Sequence, residues 1–341
     1  MMIEKINIKD FRNSAGTVQD IALTYEWYGP APGMAPVILI NHALTGNSRI
    51  CGPGGWWNDL TGSGKCIDTD RYSVICFNIP GNGFDGKQKH LISNYREFHL
   101  GDIARIFLQG LDRLGIKELF AIIGGSIGGA LAWEIAALRP DITKHLVPIA
   151  TDLKATDWVI ANCRVQDQIL NNSVTPVRDA RMHAMTFYRT PESLSAKFSR
   201  ERKGDNSCFE VESWLDYHGQ QLEKRYKLSS YKLLNHLLST IDIGRETGDA
   251  YKVASGIKSN IHLILVNTDL LFSPKENWET YVTLALKKQN ITISEIRSVH
   301  GHDAFLIESS QIKGFLNPIF NNNPTKNISH ECDKDYSFYS K

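Results

Sequence analysis

Residues 121–131 read AIIGGSIGGAL: four glycines crowd a lone serine, Ser126, between an apolar run and a stretch with helical spacing. Glycine weakens regular structure, so four of them imply a backbone that must turn sharply or be approached closely. If LFAIIG (119–124) is a strand and the residues from Ile127 begin a helix, Ser126 occupies a turn of about one residue. Such a turn strains the serine backbone and brings strand and helix too close for side chains at Gly124 and Gly128. The hydroxyl then projects from the carboxyl edge of a sheet, and the Ile127 N–H, at a helix start, points toward a developing oxyanion. The competing reading is a phosphate-binding glycine turn or tight packing alone. GGSIGG lacks the lysine of a Walker loop, contains no G-x-G-x-x-G, and falls mid-sheet rather than after the first strand.

Short apolar runs flank this motif at 37–41 (VILIN), 72–78 (YSVICFN), 145–150 (HLVPIA) and 261–267 (IHLILVN), as expected of parallel strands buried on both faces. Helical patterns at 97–114, 127–138 and 274–288 alternate with them, which predicts an α/β fold with a mostly parallel central sheet flanked by helices. Crossovers should be right-handed. Alternating stretches at 3–9 and 21–28 predict an antiparallel edge hairpin, ended by PAPGMAP. From 153 to 245 the strand signal fades into amphipathic helical sequence. Residues 1–152 and 246–320 are therefore expected to form the core, 153–245 a helical lid inserted between two strands, and 321–341 a polar tail that frays.

The composition of the 341 residues, 42% hydrophobic and 22% charged, suits a globular protein with a large core. Lys plus Arg (38) nearly cancels Asp plus Glu (37). No global field would attract nucleic acid or an anionic membrane, and neither is expected as a partner. The charged N-terminus lacks the apolar region of a signal peptide and no apolar run is long enough to span a bilayer, so the expected location is cytoplasmic. Six scattered cysteines (Cys51, Cys66, Cys76, Cys163, Cys208, Cys332) show no zinc-like spacing, so reduced structural thiols and no metal site are expected.

A serine is a poor nucleophile at its own pKa and needs a base and an orienting acid, in the chain order Ser, Asp, His for this topology. Asp269 directly follows the strand IHLILVNT, which puts its carboxylate at the same sheet edge. His302 lies in SVHGHDAF, after the last predicted strand ITISEIRS and before the helical DAFLIESSQIKGFL. His300 competes for the base role. His302 is preferred because Gly301 lets the chain turn before it. For Asp269 the alternative is a solvated strand-end carboxylate or a cap on the helix opened by Pro274. A second oxyanion donor is expected from the loop NHALTGN, at the N–H of Leu44, while His42 in that loop is read as a brace.

Several stretches together are specific: NHALTGNS (41–48), GGWWNDLTGSGKCIDTDRYSVICFN (54–78), IIGGSIGG (122–129), TDLLFSP (268–274) and GHDAFLIE (301–308). From about residue 36 to 310 the chain resembles the homoserine O-acetyltransferase family of α/β hydrolases, which acylates an amino-acid hydroxyl from acyl-CoA. The resemblance implies Ser126 as nucleophile, Asp269 as acid and His302 as base. It also implies that Arg181, in DARMHAMTFYR, and Asp303 hold the amino-acid substrate, and a guanidinium and a carboxylate do suit an α-carboxylate and an α-ammonium. Two departures stand out. IPGNGFDGKQKH (79–90) replaces the family's usual GSTGP-like stretch, and Asp167 in RVQDQIL replaces an arginine, both expected around the substrate and acyl-donor entrance.

These readings imply a ping-pong O-acyltransferase with an acyl-serine intermediate and acyl-CoA, acetyl-CoA first, as cosubstrate, with no permanently bound cofactor. An esterase or thioesterase on the same scaffold, or a catalytically silent binding protein, are the alternatives. The lid should narrow the mouth against water. Its aromatic face (Trp158, Phe187, Tyr188, Trp214, Tyr217) is expected either to pack lid helices together or to make a homodimer contact.

Overall fold

The computed structural model describes residues 3–204 and 207–321. Eight strands among them form one sheet: Glu4–Arg12 (β1), Val18–Tyr28 (β2), Val37–Asn41 (β3), Ser73–Phe77 (β4), Leu119–Gly125 (β5), Thr143–Ile149 (β6), Asn260–Val266 (β7) and Ile291–Ile296 (β8). Their order is β1-β2-β4-β3-β5-β6-β7-β8. The two N-terminal strands pair antiparallel with each other, β2 is antiparallel to β4, and every later pairing is parallel. The predicted hairpin therefore lies at one edge, with β1 outermost. All five residues of β3 and all five of β4 are buried, which accounts for their unbroken apolar text.

The strand order reverses at the centre. From β3 the chain moves outward to β4, then returns to β5 on the other side of β3, and loops leaving the carboxyl ends of β3 and β5 flank the resulting crevice. Helices Leu100–Arg113 (α1) and Ile127–Leu138 (α2) pack together, and α2 lies against β5 and β6. The α1 pattern was expected from 97, but helix begins at Leu100. A capping box sets that start: the His99 side chain accepts from the Asp102 N–H, and the Asp102 carboxylate accepts from the His99 N–H.

Among the described residues, five helices follow β6 over 157–239: Asp157–Asn172 (α3), Pro176–Tyr188 (α4), Pro191–Phe198 (α5), Glu210–Arg225 (α6) and Leu228–Ser239 (α7). Within this group α4 packs on α3 and α6, and α3 packs on α7. Ala250–Gly256 (α8) and Pro274–Ala285 (α9) return to the sheet. The C-terminal helical text is broken: a 3-10 turn at Gly301–Asp303 leads into Ala304–Ile307 (α10), and Ser309–Phe320 (α11) follows after Glu308. A continuous helix from 303 was expected. The break lets Phe305 lie against Gly125, whose added Cβ would come 2.5 Å from the Phe305 ring, while α11 buries Ile312, Leu316 and Phe320. Of the tail expected from 321, all but Asn321 lies outside the described residues, as does Cys332.

Candidate active site

Ser126 sits alone between β5 and α2 with φ 58° and ψ −130°, a conformation that costs a residue bearing a side chain about 1–3 kcal/mol. The surroundings over-determine it. Its N–H donates to the Ile149 carbonyl at 2.9 Å, and its own carbonyl accepts from the Gly129 and Ala130 N–H groups. A Cβ at Gly124 would overlap the Gly128 carbonyl, and one at Gly128 would lie 2.5 Å from the Asn41 carbonyl oxygen. The first binds helix α2 to its own strand and the second binds it to β3, so each glycine marks a backbone-to-backbone approach.

The Ser126 hydroxyl lies 2.9 Å from His302 Nε2, and His302 Nδ1 lies 2.7 Å from Asp269 Oδ2. All three residues are buried. Asp269 Oδ1 accepts from the N–H groups of Leu271 (2.7 Å) and Phe272 (2.9 Å), which fixes the carboxylate plane and leaves Oδ2 for the imidazole. It follows that His302 Nδ1 carries the proton and Nε2 offers its lone pair to the serine hydroxyl. Gly301, at φ 64°, makes the turn that delivers His302. His300 faces elsewhere, its Nδ1 accepting from Arg189 Nη2 (2.9 Å) and lying 3.0 Å from Ser193 Oγ.

The loop after β3 carries Leu44. Among the described residues neither the Leu44 nor the Ile127 N–H donates a hydrogen bond. His42 bridges this loop to the next: its Nδ1–H donates to the Ala43 carbonyl at 2.8 Å, and its Nε2 accepts from the Ile79 N–H at 3.0 Å. Accepting at Nε2 needs the neutral ring, and burial pushes the His42 pKa down to about 4. Because Ala43 C=O and Leu44 N–H share one peptide plane, holding the carbonyl outward turns the amide hydrogen the opposite way. Ile79 opens the departing stretch 79–90, so that stretch supports the loop bearing Leu44. It also packs under α7: a Cβ at Gly81 would sit 2.6 Å from Leu233 Cδ2, and one at Gly83 2.9 Å from Ser230 Oγ.

Arg181 projects from α4 with its guanidinium 5.5 Å from the centre of the Tyr188 ring, and it makes no ion pair among the described residues. Tyr188 in turn lies 5.5 Å from the His302 ring, and Phe272 (5.7 Å) and Phe305 (5.4 Å) complete an aromatic collar. Asp303 begins α10, but its side chain makes no capping hydrogen bond. Burial raises the Asp303 pKa, and the opposing charges that pull it back are Arg181, His302 and Arg189. The Arg181 guanidinium and the uncapped Asp303 carboxylate thus act on each other electrostatically, and Tyr188 lies between the guanidinium and the His302 ring.

Of the two uses expected for the aromatic face, Phe187 and Tyr188 take lid packing and the collar, being buried; Trp158 and Tyr217 are exposed and Trp214 is half-buried. Asp167 is engaged on α3 by Arg96 (3.3 Å) and Arg164 (3.1 Å) and makes no hydrogen bond to Ser126, His302, Arg181 or Asp303. It sits in a small groove of about 210 Å³ with Tyr95 and His236. Among the described residues no group of three or more His, Cys, Asp or Glu could hold a metal ion, and no helix is long and apolar enough to cross a membrane.

A family model described as the α/β hydrolase fold matches residues 36–298. The homoserine O-acetyltransferase of Symbiobacterium thermophilum is 33% identical over 334 residues, covering 86% of this chain and 87% of that protein. The chain belongs to the homoserine O-acetyltransferase family. A second relative of this O-acyltransferase family, the homoserine O-succinyltransferase of Janthinobacterium sp., is 30% identical over 90% of each chain. Among solved structures, the homoserine O-acetyltransferase of Bacillus anthracis superposes with a TM-score of 0.85 at 20% identity, covering 94% of this chain and 98% of that one, which speaks for the fold.

In this family member the lid also braces the loops of the site, through contacts the sequence pattern does not show. Tyr226, at the end of α6, places its hydroxyl 3.2 Å from the carbonyls of both Leu44 and Gly46, and Arg225 Nη1 donates to Thr45 O at 3.0 Å. At the other end of the site the Thr190 hydroxyl donates to Val299 O, and Arg189 reaches His300. These partners lie more than 100 residues apart in the chain, and no local pattern announces such a pairing. Tyr188 alone left a trace, seven residues after Arg181 and therefore on the same helix face.

Proposed function

We propose that the protein transfers an acyl group from acyl-coenzyme A to the side-chain hydroxyl of homoserine through an acyl-Ser126 intermediate. The observation that carries this reading is the continuous hydrogen-bond chain from Ser126 through His302 to Asp269, in a chain whose relatives bear homoserine O-acyltransferase names. In the first half-reaction Ser126 Oγ attacks the thioester carbonyl as His302 Nε2 takes its proton. The Leu44 and Ile127 N–H groups receive the oxyanion, a donor of this kind being worth about 10²–10³ in rate. The C–S bond breaks and coenzyme A leaves as the thiol with the proton from His302. In the second, His302 removes the proton of the homoserine hydroxyl, which attacks the acyl-serine. Collapse returns that proton to Ser126 Oγ and releases the O-acyl amino acid.

Arg181 binds the α-carboxylate in this scheme and Asp303 the α-ammonium, which aims the acceptor hydroxyl at the acyl-enzyme. The lid, with the aromatic collar around His302, keeps water from competing for the intermediate. Acetyl is the favoured acyl group and succinyl the second, following the names of the relatives. A matrix of acyl-CoA donors against amino-acid acceptors, read as coenzyme A release, tests the proposal. Release with acetyl-CoA that depends on homoserine, and that disappears in Ser126→Ala, is the expected result. Free acetate formed at a rate indifferent to homoserine would make the protein a thioesterase instead.

A further inference from the structure

Arginines in folded proteins usually meet a carboxylate or remain in bulk water, and Arg225 does neither. It closes α6, its Nη1 donates to Thr45 O at 3.0 Å, and its guanidinium lies 5.6 Å from the centre of the Tyr226 ring. It makes no ion pair among the described residues. Much of the side chain is exposed, yet the guanidinium is sheltered enough for burial to lower its pKa, and nearby Arg181 pushes the same way. Two guanidinium groups, neither in an ion pair among the described residues, therefore lie within electrostatic reach of one another. The α-carboxylate of the acceptor neutralises only one of them.

Thr45 follows Leu44 directly. A thioester whose carbonyl oxygen sits on the Leu44 N–H brings the donor beside Thr45, and Arg225, bonded to Thr45 O, is a charge without an ion pair at that residue. Resting on the acyltransfer reading above, we propose that Arg225 binds an anionic group of the acyl donor. That group is either a coenzyme A phosphate or the terminal carboxylate of a dicarboxylic acyl chain, both matched by the planar guanidinium fork. Arg181 serves the acceptor, Arg225 the donor, and their mutual repulsion is relieved only when both anions are present.

The test measures binding, so it needs no turnover. Acetyl-CoA and succinyl-CoA are titrated calorimetrically into the Ser126→Ala protein with and without Arg225→Gln, a change that removes the charge but keeps a donor for Thr45 O. The expected result is a dissociation constant raised about ten-fold or more. Loss for both esters identifies the phosphate, and loss for succinyl-CoA alone identifies the acyl carboxylate. Homoserine affinity should stay within two-fold, and Arg225→Lys should retain part of the donor affinity. Tyr226→Phe, which loosens the same loop without removing charge, should leave donor binding nearly unchanged. Unaltered affinity for both esters in Arg225→Gln overturns the inference, as does an equal loss in Tyr226→Phe, which would make loop shape the cause. If instead the donors bind as expected but the parent protein releases no coenzyme A with any acceptor, the acyltransfer reading fails and the binding site stands.

Discussion

Asp269→Asn should abolish nearly all activity while leaving the fold intact, and the hydrogen bonds around Asp269 say why. Oδ1 is held by two backbone N–H groups, from Leu271 and Phe272, while Oδ2 faces His302 Nδ1. An asparagine must keep its carbonyl oxygen on the two N–H groups, since turning the amide over would set NH₂ against both. Its NH₂ then faces Nδ1, which can only accept. The proton moves to Nε2 and the lone pair that should receive the Ser126 proton is gone. A wrong tautomer with intact geometry costs about 10⁴-fold in kcat, or about 5 kcal/mol of transition-state stabilisation. Asp269→Ala provides the contrast, because it strands two buried N–H groups and should lose about 2–4 kcal/mol of stability as well. The assay is coenzyme A release under saturating substrates, alongside thermal unfolding of both variants. An Asp269→Asn protein within ten-fold of the parent, or one that unfolds as early as Asp269→Ala, would refute this account of the site.

Gly124→Ala should cost at least about 3 kcal/mol or prevent folding, because the new methyl meets the Gly128 backbone and cannot be accommodated by a rotamer change; thermal unfolding of purified protein would show it. Arg181→Gln should raise the homoserine KM about ten-fold or more while the acceptor-free burst of coenzyme A release keeps its amplitude, since only the second half-reaction uses that guanidinium. His42 is buried neutral with a folded pKa of about 4, below its unfolded value, so its contribution is complete above about pH 6.5 and drains away as pH falls toward 4, by up to about 3 kcal/mol. Urea unfolding at pH 7 and pH 4.5 should show that loss, smaller in His42→Gln; an identical pH dependence in the two proteins would contradict it.

The sequence foretold much of the sheet and the elbow because their signals are local. An apolar five-residue run can be read without knowing its neighbours, and Gly124 and Gly128 report a steric demand made within four residues of Ser126. Gly301 likewise announced the turn that separates His302 from His300, and its φ is 64°. What local text left open was its tertiary meaning. Phe187 and Tyr188 read as half of an amphipathic face, but helices α3 and α6 and the base loop surround them on several sides. Asp167 read as a change at the entrance because it replaced an expected arginine, and its partner Arg96 comes from a segment some 70 residues earlier, a pairing no local pattern announces. The break in the last helix at Glu308 had no sequence signal; it accompanies the long-range contact of Phe305 with Gly125.

The lid is more than a cover. Its α6 terminus holds the loop of Leu44 through Tyr226 and Arg225, and its 188–193 segment holds the loop of His302 through Thr190 and Arg189. Asp269 and Ser126 are secured within the core by their own backbone neighbours. If the five lid helices swung away as a body, Ser126 and Asp269 would therefore stay in place, but the loops bearing Leu44 and His302 would each lose two restraints together. The proposed acyl transfer needs those loops aligned within a few tenths of an ångström, so on that reading its chemistry proceeds with these lid contacts in place.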